Sequence, residues 1–301
     1  MKKKSGNPKS EFGAPTLESC PSPHSFVAGR GRGGWWLCLC WALLAAWPCG
    51  GQTLSEMKEA VLKTPAQAQA GAKKAELAAR LAAMLEPALL GAGREMGISI
   101  DPRKALLELS PVLHSGDFTP AAKAAIERAY RGRPDKEHIL LAGLVDAPSA
   151  RREIAEWSEL AIEEPAAGRF YGTPAWAACL VKARAGEQAK INKLLQAAAR
   201  AEPHVQVTVL LDELAYVPQP EVVGFLGRFL SSEARLAPVS AGAPGQRYAD
   251  FAAAALARML EGFPAPYKED RSYSAEEIRS CRAWMAGQSS WKFRGQEGGR
   301  K

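Results

Sequence analysis

From Gln52 onward, apolar residues recur every three to four positions, which is the spacing of one face of an α-helix. Thr53 can cap a first helix whose face carries Leu54, Met57, Val61 and Leu62. An Ala/Gln tract over 66–72 precedes a second helix, predicted over 73–90 with the stripe Leu77, Leu81, Met84, Leu85 and Leu89 and kinked or shortened at Pro87. Gly91, Gly93 and Gly97 then break the period. A short helix is predicted over 102–113. Another starts at Pro120 behind the cap Thr119 and stops at Arg131-Gly132-Arg133-Pro134. Helical segments follow at 135–146, 149–163, 173–185, 187–201, 203–217, 220–232, 246–262 and 274–286, joined by short Pro/Gly turns. Val205, Val207 and Val209 alternate as a strand would, but Leu211, Leu214 and Val217 carry on at helical spacing, so this stretch also reads as helix.

Short links between helices make antiparallel neighbours, and the segments repeat. A shift of 31 residues carries Ile191-Leu194-Leu195-Ala198 onto Val222-Phe225-Leu226-Phe229, and Cys179-Leu180-Ala183 onto Leu210-Leu211-Leu214. A shift of 45 carries Leu211 and Leu214 onto Leu256 and Met259, the extra length matching the Ala/Pro/Gly/Ser-rich loop 235–247. Backward by 37, Ile191-Leu194-Ala198 falls on Ile154-Trp157-Ala161.

The stretch Pro220-Glu221-Val222-Val223-Gly224-Phe225-Leu226-Gly227-Arg228-Phe229-Leu230 resembles the first helix of a HEAT repeat. Residues 249–262, ending Ala255-Leu256-Ala257-Arg258-Met259-Leu260-Glu261-Gly262, resemble the second, and 177–186 with 187–202 repeat the phase. The resemblance spans roughly 135–265 and, less fully, 100–135. It implies an all-α fold of antiparallel helix pairs stacked as a HEAT-like α-solenoid, in which neighbouring pairs bury a continuous core. The chain then divides into 1–51 (leader), 52–115 (N-terminal helices, a cap or small helical region), 116–270 (HEAT-like repeats) and 271–301 (a capping helix and tail). Trp291-Lys292-Phe293-Arg294 is expected to pack back as part of that cap, with an unstructured tail from Gly295.

The first fifty residues differ. A polar, basic stretch with Lys2, Lys3, Lys4, Lys9, Arg30 and Arg32 precedes the uncharged run Trp35–Trp47. A membrane span needs about 20 apolar residues. The run is shorter than that and matches the core of a secretory signal, with cleavage expected near Gly51–Gln52. A start at Val27 instead of Met1 would make an ordinary short signal. A lipid on Cys49 or an uncleaved anchor are the alternatives. Removing residues 1–51 takes away six Lys+Arg and two acidic residues, so the formal charge falls from +7 to +3 and the case for nucleic acid weakens. Cys179 and Cys281 are the cysteines left. Both lie on apolar helix patterns and read as separate buried thiols, with a disulfide as the alternative.

Candidate chemistry is sparse. His114, His138 and His204 are far apart in sequence and have no metal-ligand spacing, so no cofactor or metal is expected. His138, behind Asp135 and Glu137, reads as a capping and surface group. No Gly-x-Ser-x-Gly occurs. The carboxylate pairs Glu163-Glu164, Asp212-Glu213 and Glu276-Glu277 read as solvated helix faces, adjacent helical residues pointing about 100° apart. Asp212, inside an apolar stretch, is placed to cap or bridge a neighbouring turn. Gly91-x-Gly93 follows no strand and fails the context of a phosphate loop.

Basic residues gather at Arg128, Arg131, Arg133 and Lys136, and again at Arg151 and Arg152. Phe170, Tyr171 and Tyr216 lie near turns between pairs, where one rim of a solenoid carries contact aromatics. Trp157 and Trp176 read as core. The partner-binding candidates are therefore Arg128, Arg131, Arg133, Arg151, Arg152, Phe170, Tyr171 and Tyr216. The reading they support is an exported, periplasmic or extracellular, non-catalytic binding or scaffold protein. It would recognise a protein partner and no nucleic acid, and meet a membrane only through the leader or a lipid on Cys49. The rival is an enzyme on a helical-repeat scaffold, either a HEAT-like DNA glycosylase or a cell-wall-active enzyme.

Overall fold

A computed structural model describes residues 54–63, 67–85, 101–162, 170–237 and 245–295. The expectations for the leader, Gly51, Cys49, Thr53, Pro87, Gly91, Gly93, Gly97 and the Glu163-Glu164 pair fall outside these residues, as do 238–244 of the long loop.

The described chain is all-α. The helices are α1 Leu54–Lys63, α2 Gln67–Ala83, α3 Pro102–Leu109, α4 Pro120–Gly132, α5 Lys136–Val145, α6 Arg151–Glu159, α7 Pro174–Arg184 and α8 Gln188–Arg200. Next comes α9 Pro203–Val205, which continues through a π-helical turn at Gln206–Leu210 into α10 Leu211–Leu214. The last three are α11 Pro220–Phe229, α12 Tyr248–Met259 and α13 Ala275–Ala286. Among the described residues the only extended pairings are single bridges, Arg235 with Arg247 and Leu260 with Phe293. No described helix is long and apolar enough to cross a membrane.

Local chemistry explains where these helices begin. Asp101, Thr119, Asp135, Thr173 and Ser274 each accept a hydrogen bond from a first-turn N–H. Proline opens α3, α4, α7, α9 and α11, where its missing N–H costs nothing. At α13 the box is reciprocal: Glu277 N–H donates to Ser274 Oγ at 3.1 Å and Ser274 N–H to Glu277 Oε2 at 2.7 Å. The end of α6 is held by cations. Its Ser158 carbonyl accepts from Lys190 Nζ at 3.0 Å and Lys193 Nζ at 3.2 Å, a favourable charge for a helix C-terminus.

Three helices are buried nearly all round. They are α5, with Ile139, Leu140, Leu141, Ala142, Leu144 and Val145; α7, with Trp176, Cys179 and Leu180; and the Ala-rich α12, whose described side chains from Ala249 to Met259 are all buried. The α7 helix packs against α5, α6 and α8, while α12 packs against α10, α11 and α13. Each fully buried Leu or Val in this core contributes roughly 2 kcal/mol relative to exposure. The 31-residue shift keeps burial in step: Cys179, Leu180 and Ala183 are buried, and so are Leu210, Leu211 and Leu214. The backward shift to 154–161 keeps Ile154 buried but fails at Ala161, which is exposed beyond the end of α6. The alternating valines of 205–209 lie in helix, with an extra residue in the turn.

The two ends of the described chain meet. Lys58 of α1 pairs with Glu108 at 2.8 Å and with Glu269, 211 residues away, at 3.2 Å. Arg294 donates to the Leu62 carbonyl, 232 residues away. A one-dimensional array in which each unit touches only its neighbours makes no such contacts. Trp291–Arg294 packs back over Leu260, with Phe293 buried and Trp291 beside Trp284. Gly295, where the sequence suggests a loose tail, lies against the Val112 carbonyl and the His114 ring.

Candidate functional site

The packing of α5 on α7 leaves no side chain at Gly143, where a Cβ would run into the Val181 side chain. Around the C-terminal ends of these two helices, the turn Ser115–Asp117 and the returning segment 291–295 complete an open cleft of about 1270 Å³. Asp146 ends α5 in the left-handed conformation at φ 56°, which a short polar side chain tolerates. Trp291 and Phe293 supply an apolar wall, and Val181 and the exposed Ala185 also line the cleft.

The cleft is charged, and its charges are unequally satisfied. Arg151 donates to Asp146 through Nε at 3.0 Å and through Nη2 at 2.7 Å. Lys182 meets Glu187 at 2.8 Å. Arg184 differs. Its guanidinium donates to three backbone carbonyls, those of Tyr216 at 2.6 Å, Ser110 at 2.9 Å and Leu113 at 2.8 Å, and lies 4.9 Å from the Tyr216 ring centroid. No carboxylate among the described residues pairs with it. Burial pulls its pKa below the ordinary arginine value, yet a guanidinium keeps its charge in a protein. Lys292, exposed on the returning segment, also has no ion pair among the described residues. The remaining acid of the lining, Glu261, lies within electrostatic reach of Arg294.

His114 stands beside this group, one residue after the Leu113 carbonyl that anchors Arg184. Its Nε2 is buried and meets no partner at hydrogen-bond geometry. Burial, and then the Arg184 charge, hold its pKa below the usual histidine value. The arrangement offers donors and positive charge, and the hydroxyl of the lining, Ser115, accepts from Lys123 Nζ at 2.9 Å and donates to the Val145 carbonyl at 3.0 Å.

The structure spreads the residues expected to bind a partner over different environments. Arg128, Arg131, Arg133, Arg151 and Arg152 are exposed. Arg131 pairs with Glu127 at 2.8 Å, Arg133 with Asp135 at 3.3 Å, and Arg152 with Glu156 at 3.7 Å. Most of this basic run is therefore balanced by acids of its own segment, and of the five only Arg151 lines the cleft. Phe170 and Tyr216 are not rim residues. Phe170 is buried edge-on to Trp176, and Tyr216 is buried with its hydroxyl donating to the Leu140 carbonyl at 2.8 Å. Turn position suggested exposure, but packing took both rings inward. Tyr171 is half-buried against Phe170.

Further expectations are corrected here. His138 is buried, with Nδ1 2.8 Å from Asp135 Oδ1, and is not a surface group. Asp212-Glu213 is not a solvated pair. Asp212 binds Arg258 at 2.6 Å and also Arg271, so it bridges as expected of a lone acid in an apolar stretch. Glu213 accepts from Lys136 Nζ at 2.6 Å and from Trp176 Nε1 at 2.5 Å. Burial pushes its carboxyl upward against the pull of both donors. Lys136, read as one of the exposed basic residues, is consumed in this pair. Cys179 and Cys281 are free and buried. No three His, Cys, Asp or Glu side chains among the described residues are grouped closely enough to hold a metal ion.

Sequence reading missed Arg184, His114 and Lys292 as one group. The available signal was a pair of cations, Lys182 and Arg184, in the last turn of an otherwise apolar helix, Pro174–Arg184. No protein-family model, curated protein or solved structure matches the chain.

Proposed function

We propose that this chain is an exported, non-catalytic binding or scaffold protein that receives a segment of a protein partner in the cleft between α5, α7 and the returning C-terminal segment. Its helix pairs stack in a short HEAT-like array whose ends are drawn together. The observation that carries this reading is the open cleft of about 1270 Å³, which joins an aromatic wall to a cation that no carboxylate among the described residues neutralises. A wall of this kind combines apolar anchors with fixed polar groups, the usual composition of a recognition surface.

An enzyme on the same scaffold would need a free acid or an activated nucleophile, and the hydroxyl of the lining, Ser115, is already engaged by Lys123 and the Val145 carbonyl. The best buried acid, Glu213, already holds Lys136 and Trp176. The binding reading is tested by filling the cleft. Ala185 is exposed and lines it, so Ala185→Trp blocks the space without disturbing the core. Cross-linking in the native host is expected to join the wild-type chain to a discrete partner through cleft residues and to lose that adduct in Ala185→Trp. An adduct unchanged by the blocking residue would overturn this reading.

A further inference from the structure

We infer that the segment held in the cleft is acidic, and that one of its carboxylates is received by Arg184 with Lys292 beside the entrance. This rests on the cleft being the binding site. The argument is one of charge. Among the cations of the lining, Arg151 and Lys182 are already neutralised by Asp146 and Glu187. Arg184 is held by three carbonyl oxygens, which orient its guanidinium but carry no net charge to cancel it. A cation fixed in position, partly desolvated and unmatched, favours an incoming anion more than a mobile surface lysine does, because no side-chain ordering is left to oppose binding. Lys292, exposed in the same lining, adds a second charge with no ion pair among the described residues.

The neighbouring histidine points the same way. His114 Nε2 is buried among the lining residues with the Gly295 backbone beside it but at no full hydrogen-bond geometry, and burial and the Arg184 charge disfavour its protonation. A carboxylate arriving at Arg184 would give a polar atom there something to bind. It would also raise the pKa of His114, by adding a negative charge to that of Asp117 against those of Arg184 and Lys74. The apolar wall of Trp291 and Phe293 suits a peptide, whose side chains alternate apolar and charged contacts, better than a bare inorganic anion.

The test uses the chain from Gln52 to Lys301 beside the full chain, with fluorescein-labelled octaglutamate as probe and octaglutamine as control. Binding is read by anisotropy. Octaglutamate is expected to bind at least about tenfold more tightly than octaglutamine and to weaken as salt rises from about 50 mM to about 500 mM. Lys292→Glu, at an exposed position, is expected to weaken it about tenfold, and Ala185→Trp to abolish it. Arg184→Lys keeps the charge but loses the fork and is expected to fall between them. Octaglutamate binding no better than octaglutamine, or binding indifferent to Lys292→Glu, would overturn the inference. So would an oligonucleotide or inorganic phosphate that saturates the site while octaglutamate does not. If the Ala185→Trp chain loses its cross-linked partner while octaglutamate fails to bind, the cleft reading stands and the acidic assignment falls. If octaglutamate binds Ala185→Trp unchanged, both fall.

Discussion

Trp176 Nε1 donates to Glu213 Oε2 at 2.5 Å across 37 residues of sequence, and Lys136 Nζ reaches the other oxygen at 2.6 Å. Three helices, α5, α7 and α10, are thereby tied through one buried carboxylate. Removing its cation leaves the charge uncompensated, so Lys136→Met is expected to destabilise the fold by roughly 3 kcal/mol. Adding Glu213→Gln should recover most of that loss, because the amide still accepts from the indole and no bare charge remains. Urea midpoints of the two variants decide it. A double variant as unstable as the single one would show that Lys136 acts through packing alone.

His114 makes stability sensitive to acid. Burial, with Arg184 and Lys74 opposing protonation and Asp117 favouring it, places the folded pKa below the ordinary 6.5. As pH falls past the unfolded value, the unfolded chain takes up a proton that the native chain resists. Stability therefore drops from about pH 6.5 toward the folded pKa, and is unaffected by this group above that window. The urea midpoint of the wild type should fall between about pH 7.5 and pH 5.5 by more than that of His114→Gln. Parallel curves would remove His114 from the account.

Gly143 marks the closest approach of α5 and α7. A methyl group there meets both Val181 γ-carbons, so Gly143→Ala is expected to cost about 1–3 kcal/mol by overpacking. Val181→Ala in the same chain should return part of it. Thermal unfolding of the single and double variants measures the coupling, and simple addition of two losses would contradict the contact.

The two buried thiols are expected to be inert. Burial raises the Cys179 thiol despite Lys193 and Lys190 nearby, and burial carries Cys281 up to about 11. Iodoacetamide at about pH 8 should leave both unmodified in the native chain and label both in urea, as mapped by peptide mass. A peptide linking Cys179 to Cys281 by a disulfide would contradict the free thiols seen here.

Helix starts were the most legible part of the fold. Thr119–Pro120, Thr173–Pro174 and Ser274 with Glu277 combine a capping side chain with a first-turn signal, and each opens a helix where expected. Helix ends were less so. The predicted segment 149–163 starts in a short turn and its helix closes at Glu159, where Lys190 and Lys193 from another helix take the terminal carbonyl. Nothing in the local sequence announces a stop supplied from 32 and 35 residues downstream. The candidate site was read from exposure cues that failed in a particular way. Aromatic residues at turns suggest a rim, yet Phe170 and Tyr216 are both buried.

By itself the sequence determined the all-helical character, the caps, the apolar faces and the burial shared between 31-residue equivalents, since each depends on neighbours a few residues apart. Tertiary structure alone decided that the ends meet through Lys58, Glu269 and Arg294, and that Asp212 and Glu213 turn inward to separate cations. It alone also decided that Arg184 lines a cleft and pairs with no carboxylate among the described residues. A charge has the same identity in every sequence context. Whether it is solvated, paired or left unmatched depends on which distant atoms share its surroundings, and only packing brings those atoms together.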